Sequence, residues 1–154
     1  MGIKNYIGKR AKPKKGSSEN IKVSDYMSRN LITFKPEQTV VEVMNTLIKK
    51  KISGGPVVNE NHELVGIISE GDCIKEISNS RYYNHPMEDI KVEDHMIKEV
   101  ETIDGNMNLF DAAEKFLTAK RRRFPICEDG KLVGLISQKD ILKAALELKG
   151  TNWK

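Results

Sequence analysis

The chain is written twice, and that repetition limits the folds open to it more than any other feature. Lys22-Val23-Ser24-Asp25-Tyr26-Met27 returns as Lys91-Val92-Glu93-Asp94-His95-Met96, four identities in six at an offset of 69 residues, and Pro56 returns as Pro125. Leu64-Val65-Gly66-Ile67-Ile68-Ser69-Glu70-Gly71-Asp72 returns as Leu132-Val133-Gly134-Leu135-Ile136-Ser137-Gln138-Lys139-Asp140, six identities in nine at an offset of 68. One residue is therefore missing from the second hairpin turn. Val40, Val43, Met44, Leu47 and Ile48 form an apolar helical stripe, matched in the second unit by Leu109, Ala112, Ala113, Phe116 and Leu117.

Each unit reads as β-α-β-β-α. A short strand (Leu31–Phe34; Val100–Ile103) precedes a helix (about 39–50; about 108–120), which Thr39 and Glu42 open as a capping box in the first unit. Two strands follow, joined by a polar turn (Pro56–Val58 and Leu64–Ser69; Pro125–Cys127 and Leu132–Ser137). A second helix runs through Ile74–Ile77 or Ile141–Leu148. This predicts an α+β fold with helices on one face of each small sheet. A unit of about 55 residues buries too little surface to stand alone, so the two are expected to pack sheet to sheet about a pseudo-twofold axis. The organisation is a basic flexible tail (1–20), a first repeat (21–78), a linker (79–90, its Ser78–Asp89 stretch irregular), a second repeat (91–148) and a C-terminal end (149–154).

Charge divides the same way. The chain of 154 residues carries a net +4, yet residues 1–20 hold six Lys and Arg against Glu19 alone, leaving −1 for everything after them. A nucleic-acid-binding domain is expected to carry its positive charge on its folded surface, so nucleic acid is an unlikely partner. With 38% hydrophobic and 31% charged residues, no apolar run long enough for a membrane helix and no secretory h-region, a cytoplasmic protein without membrane contact is expected. Tyr6 stands where a myristoylation signal wants Ser or Thr. Cys73 and Cys127 have neither CxxC spacing nor a histidine cluster and read as small hydrophobes. His62, His85 and His95 are scattered, and no metal site is expected. No nucleophile–base set, carboxylate pair or glycine-rich phosphate loop is visible, so no catalytic residue is assigned and the chain is not read as an enzyme.

Asp-x-Met, strand, helix, Pro-Val-Val, then Leu-Val-Gly-Ile-Ile-Ser-x-x-Asp, in order and twice, resemble the CBS (cystathionine β-synthase) domain, and the tandem resembles a Bateman module. The resemblance implies a regulatory module that requires no cofactor. It also implies homodimers and an adenine nucleotide, of the AMP, ADP or ATP class, bound as regulatory ligand between the repeats. An effector protein, unidentified from the sequence, would read the signal. By this analogy cleft A joins Thr33, Ile52, Ser53 and Gly54 to Ser137, Lys139 and Asp140, with Arg123 leaning in. Cleft B joins Thr102, Arg121, Arg122 and Arg123 to Ser69, Glu70, Gly71 and Asp72. The glycines Gly66 and Gly134 admit another backbone or a ligand close to the strand, the serines sit where helix N-termini favour an anion, and the aspartates can accept ribose hydroxyls. Cleft A is favoured, because Ile52 offers a purine an apolar wall where cleft B has Arg121. The run Lys120–Arg123 reads either as a solvated patch complementing a helix C-terminus, as a phosphate contact, or as a contact for another macromolecule. Two other readings stay open: a nucleic-acid-binding accessory protein working through the tail and the arginines, and a purely structural dimerisation module.

Overall fold

A computed structural model describes residues 21–84 and 86–151. The tail, His85 and residues 152–154, with the readings made of them, lie outside the described residues.

Each repeat is an amphipathic helix, a hairpin and a second helix. Thr39 opens α1 (Val40–Lys50) with the expected capping box, its Oγ1 accepting from the Glu42 N–H at 3.1 Å while Glu42 Oε1 accepts from the Thr39 N–H at 3.0 Å. Lys51 ends the helix in the left-handed conformation. β1 (Gly54–Val58) pairs antiparallel with β2 (Leu64–Ser69), and α2 (Glu70–Tyr83) follows. The second repeat runs α3 (Leu109–Ala119), β3 (Arg123–Glu128), β4 (Lys131–Ser137) and α4 (Gln138–Thr151), with β3 antiparallel to β4. The shortened second turn is Asp129–Gly130, both at positive φ (54° and 81°), the geometry of a tight two-residue hairpin.

Three expectations need correction. The first strands shrink to single parallel bridges, Phe34 to Val57 and Ile103 to Ile126. Phe34 donates to Pro56 O and accepts from Val58 N–H, both at 2.9 Å. Extending that ladder either way would draw on the missing N–H of Pro56 or of Pro36, and Pro125 interrupts the second copy likewise. The linker is not irregular from its start: α2 continues to Tyr83 and stops at Asn84 in the left-handed conformation. Nothing in Ser78–Tyr83 breaks a helix, and Ser80 is buried on it. Finally, Ile48 and Leu117 leave the core, 78% and 77% exposed. Each sits about 80° around its helix from the first stripe residue at 3.6 residues per turn, at the edge that faces outward.

The two cores are completed crosswise. Val23 and Met27, from the start of the first repeat, pack with Ile103, Leu109, Phe116, Phe124 and Ile136 of the second. Val92 packs in the first core with Phe34, Val40, Leu47, Val57 and Ile68, and Met96 lies against it. The same crossing satisfies helix starts, which have N–H groups to spare: Val40 N–H donates to Ile90 O at 2.8 Å and Leu109 N–H to Ile21 O at 2.9 Å. Backbone bonds tie Ser28 to Leu135 and Ile97 to Ile67. Gly66 and Gly134 accommodate this approach. A Cβ at Gly66 would meet Met96 Sδ at 2.6 Å and Ile97 O at 2.9 Å, and one at Gly134 would meet Met27 Sδ at 2.5 Å and Ser28 O at 3.0 Å. Of the two uses expected for these glycines, the close approach of another backbone is the one present.

Candidate functional site

The site grows out of the three residues that lead into the first strand of each hairpin, the third of them being the strand's first residue. In the first repeat these are Ile52, Ser53 and Gly54; in the second the same places hold Arg121, Arg122 and Arg123. Backbone fixes both triplets to the start of the following helix. Ser53 O accepts from Glu70 N–H at 2.9 Å, and Arg122 O accepts from Gln138 N–H at 3.1 Å. Gly54 lies opposite Ser69, and Arg123 opposite Ser137. A Cβ at Gly54 would meet Ile68 O at 2.8 Å, so glycine is needed for that closeness. From the equivalent position Arg123 reaches across the repeats, Nη1 donating to Ser53 Oγ at 3.1 Å.

Two clefts open on either side of this bridge. The larger, about 370 Å³, is walled by Ser28–Ile32 (without Arg29), Lys51–Gly54, Arg123 and Leu135. The smaller, about 200 Å³, is walled by Ser53–Pro56, Ile67, Ser69, Lys120–Arg123 and Leu135. They share Ser53, Gly54, Arg123 and Leu135. Ile32, Leu31, Ile52 and Leu135 give the larger cleft an apolar side for an aromatic ring, with serine and asparagine groups for hydrogen bonding. Among the described residues no carboxylate lines either cleft.

The structure thus brings Ile52, Ser53, Gly54 and Arg123 onto the larger cleft, and Arg121, Arg122 and Ser69 onto the smaller. Thr33, Ser137, Lys139 and Asp140 are not among the residues lining the larger cleft, nor Thr102 and Asp72 among those lining the smaller. Thr33 follows Leu31 and Ile32, which do line it; Ser137 pairs with Arg123; Thr102 and Lys139 are exposed. Both aspartates fold back on their own helix starts. Asp140 Oδ2 accepts from Ser137 N–H at 2.8 Å and Ser137 Oγ–H at 3.0 Å, and Asp72 Oδ2 accepts from the corresponding groups of Ser69 at 2.9 and 3.1 Å. Sequence reasoning missed Ser28, Asn30, Lys51 and Leu135. Ser28 and Leu135 reach the cleft through the crossed backbone pairing, of which the repeated Met27 and Met96, with Gly66 and Gly134, were the traces in the sequence.

Among the described residues no group of three or more His, Cys, Asp or Glu is placed to hold a metal ion, and no helix is long and apolar enough to cross a membrane.

The model of the CBS domain matches residues 23–79 and 92–147. CBSX2, a chloroplastic CBS domain-containing protein of Arabidopsis thaliana, is 30% identical over 82% of this chain and 64% of its own length. Its structure in complex with AMP superposes with a TM-score of 0.74 at 32% identity, covering 84% of this chain and 98% of that one. Protein MJ1225 of Methanocaldococcus jannaschii, described as a putative archaeal homolog of g-AMPK, superposes with a TM-score of 0.74 at 26% identity over 94% of this chain and 52% of that one. The CBS domain pair of MJ0100, solved with 5′-methylthioadenosine and S-adenosyl-L-methionine, gives 0.66 at 26% identity over 82% and 96%. The chain spans 45% of the length of the MJ1225 sequence and 64% of that of CBSX2. Both repeats are matched, and the start of the first helix in each is held by the segment that leads into the other: the chain belongs to the CBS domain family, as a tandem pair.

Proposed function

We propose that this chain is a regulatory module that holds an adenosine-containing nucleotide in its larger cleft and signals occupancy through the way copies of the module, or a partner protein, pair with it. The observation that carries this reading is the joining of Ile52, Ser53 and Gly54 to Arg123 around a cleft of about 370 Å³, within the range of small-molecule sites. The base lies against Ile52 and Leu135, and Arg123 meets the α-phosphate as a charge-assisted donor. Asp140 is given the ribose contact by the family resemblance alone: it stands outside the residues lining the cleft, its Oδ2 engaged by Ser137. Thr33, Ser137 and Lys139 stand outside the lining of that cleft and belong to cleft A by the resemblance alone. The adenosine compounds bound by CBSX2 and MJ0100 support that ligand class.

Signalling needs a ligand that favours one of two states. The larger cleft has walls from both repeats, Lys51–Gly54 from one and Arg123 and Leu135 from the other, so an occupant favours the arrangement that closes them together. The chain is a binding module without catalysis of its own, and it works as a homodimer. Free thiols at Cys73 and Cys127 suit a reducing cytoplasm.

Adenine nucleotides titrated into the wild type and into Asp140→Ala and Asp72→Ala test the site, with S-adenosylmethionine and dinucleotide second messengers screened beside them by thermal shift. Asp140→Ala is expected to lose the most affinity. Greater loss with Asp72→Ala would reverse the ranking of the clefts, and a thermal shift from none of these ligands would remove the reading.

A further inference from the structure

The arginine triplet gives this site a character that the nucleoside cleft alone does not explain. Lys120, Arg121, Arg122 and Arg123 all line the smaller cleft, and among the described residues no carboxylate does. Arg121 and Arg122 are exposed, and the ion pairs among the described residues, His95–Glu76 and Lys115–Glu101, lie elsewhere. Four cations gathered around one cleft make a positive field that draws an anion, and guanidinium forks are shaped for phosphate oxygens.

Size separates the roles of the two clefts. Small-molecule sites measure about 300–1,000 Å³. The larger cleft reaches that range at about 370 Å³; the smaller, at about 200 Å³, falls short of it. The smaller also presents Arg121 where the larger presents Ile52, so a second base would meet a cation and not an apolar wall. It does not lie apart, however. Ser53, Gly54, Arg123 and Leu135 wall both clefts, and the Arg123 guanidinium, held by one of its five N–H groups on Ser53 Oγ, stands at their junction with donors to spare.

We propose that the two clefts form a single site for one nucleoside polyphosphate. The nucleoside occupies the larger cleft, Arg123 takes the first phosphate, and the following phosphates enter the smaller cleft between Arg121 and Arg122. This rests on the nucleotide reading above and deepens it: the module distinguishes di- and triphosphates from a monophosphate, and it binds one nucleotide where two clefts suggest two.

Calorimetric titration of the full chain with AMP, ADP and ATP, in EDTA, tests this. One nucleotide should bind per chain, with affinity rising from AMP to ATP by about tenfold or more, equivalent to about 1.4 kcal/mol. In an Arg121→Ala/Arg122→Ala variant, its fold checked by circular dichroism, the ATP-to-AMP affinity ratio should fall close to one. Two AMP molecules bound per chain, AMP binding as tightly as ATP, or a ratio that survives loss of both arginines would each overturn the proposal while leaving a nucleotide module in place. Failure of all three nucleotides to bind the wild type would overturn both.

Discussion

Met27 lies across Gly134 so closely that a methyl group there would meet its sulfur at 2.5 Å, and Met96 lies across Gly66 in the same way at 2.6 Å. Each methionine belongs by sequence to one repeat and by packing to the hairpin of the other. Neither hairpin is complete without the segment that begins its neighbour, which makes the pair one folding unit. That crossing also places Ser28 opposite Leu135 on the wall of the larger cleft.

Gly134→Ala is therefore expected to lower stability by about 1–3 kcal/mol, the usual cost of overfilling a packed site. The Met27 thioether can swing away, but Ser28 O at 3.0 Å is backbone, held by bonds of 2.8 and 3.0 Å to Leu135. Urea unfolding measures the effect. A midpoint equal to that of the wild type would mean that the leading segment does not dock there.

The crossed segments are also latched by side chains, unequally. His95 Nδ1 meets Glu76 Oε2 at 2.6 Å, and Glu76 is only 5% exposed. At the equivalent place in the first repeat, Tyr26 donates to Glu147 Oε1 at 2.8 Å on the surface. Removing His95 leaves a buried carboxylate without its partner, at a cost of about 1–3 kcal/mol. Tyr26→Phe gives up one exposed hydrogen bond, about 0.5–1 kcal/mol. His95→Ala should thus be the more damaging in parallel urea titrations, and the opposite order would refute this account of the latch.

What the sequence disclosed follows from its periodicity. The duplication, both amphipathic helices, the Thr39–Glu42 cap and the hairpin shortened at Asp129–Gly130 are all local patterns. Some of the misread parts depend on partners distant in sequence, while the helix running on through Ser78–Tyr83 was a local signal passed over. Phe34 pairs only singly because Pro36 stops the ladder on one side and Pro56, twenty-two residues on, stops it on the other, and Ile48 looked like core because a stripe does not say how wide a neighbour it meets. In the site, Ile52, Ser53, Gly54 and Arg123 could be named because the family resemblance puts the segment before the repeated proline in a cleft. Ser28 and Leu135 could not, since their nearness arises only after the segments cross.

Stability should fall in alkali with a definite sign. Burial pushes the Cys73 thiol above its ordinary value of 9.0, with the Asp72 and Glu70 carboxylates adding to it, and burial alone raises Cys127. The hydrogen bond to Glu147 raises Tyr26, with burial and the nearby carboxylates contributing. In each case the folded state favours the protonated form. The stabilisation is therefore complete below the unfolded values and is lost as pH climbs through the folded ones. Urea midpoints from these groups should hold steady up to about pH 9 and decline above it. Native Cys73, 3% exposed, should also react with iodoacetamide more slowly than Cys127, read by mass spectrometry of the tryptic peptides. A midpoint that rises from pH 9 to 10.5 would contradict the sign.

The outer helix faces bear on assembly. Ile48 and Leu117 occupy matching places on α1 and α3, and Leu142 and Leu146 extend apolar exposure along α4, 63% and 71% exposed. Single exposed apolar residues are ordinary on any surface. A patch of several exposed apolar residues can pair with the same patch on a second copy in a self-complementary twofold contact, residue i meeting j and j meeting i. A homodimer using this face should be converted to monomers by Ile48→Lys/Leu117→Lys, since two buried ammonium groups per chain would lack partners. Both side chains project from the last turn of their helices into solvent, so the monomer should keep the wild-type circular dichroism spectrum. Sedimentation equilibrium decides the matter. A wild-type chain that sediments as a monomer, or a double variant that still dimerises, would show that these helices are not the contact, and the signalling route proposed through paired modules would then have to run through another surface.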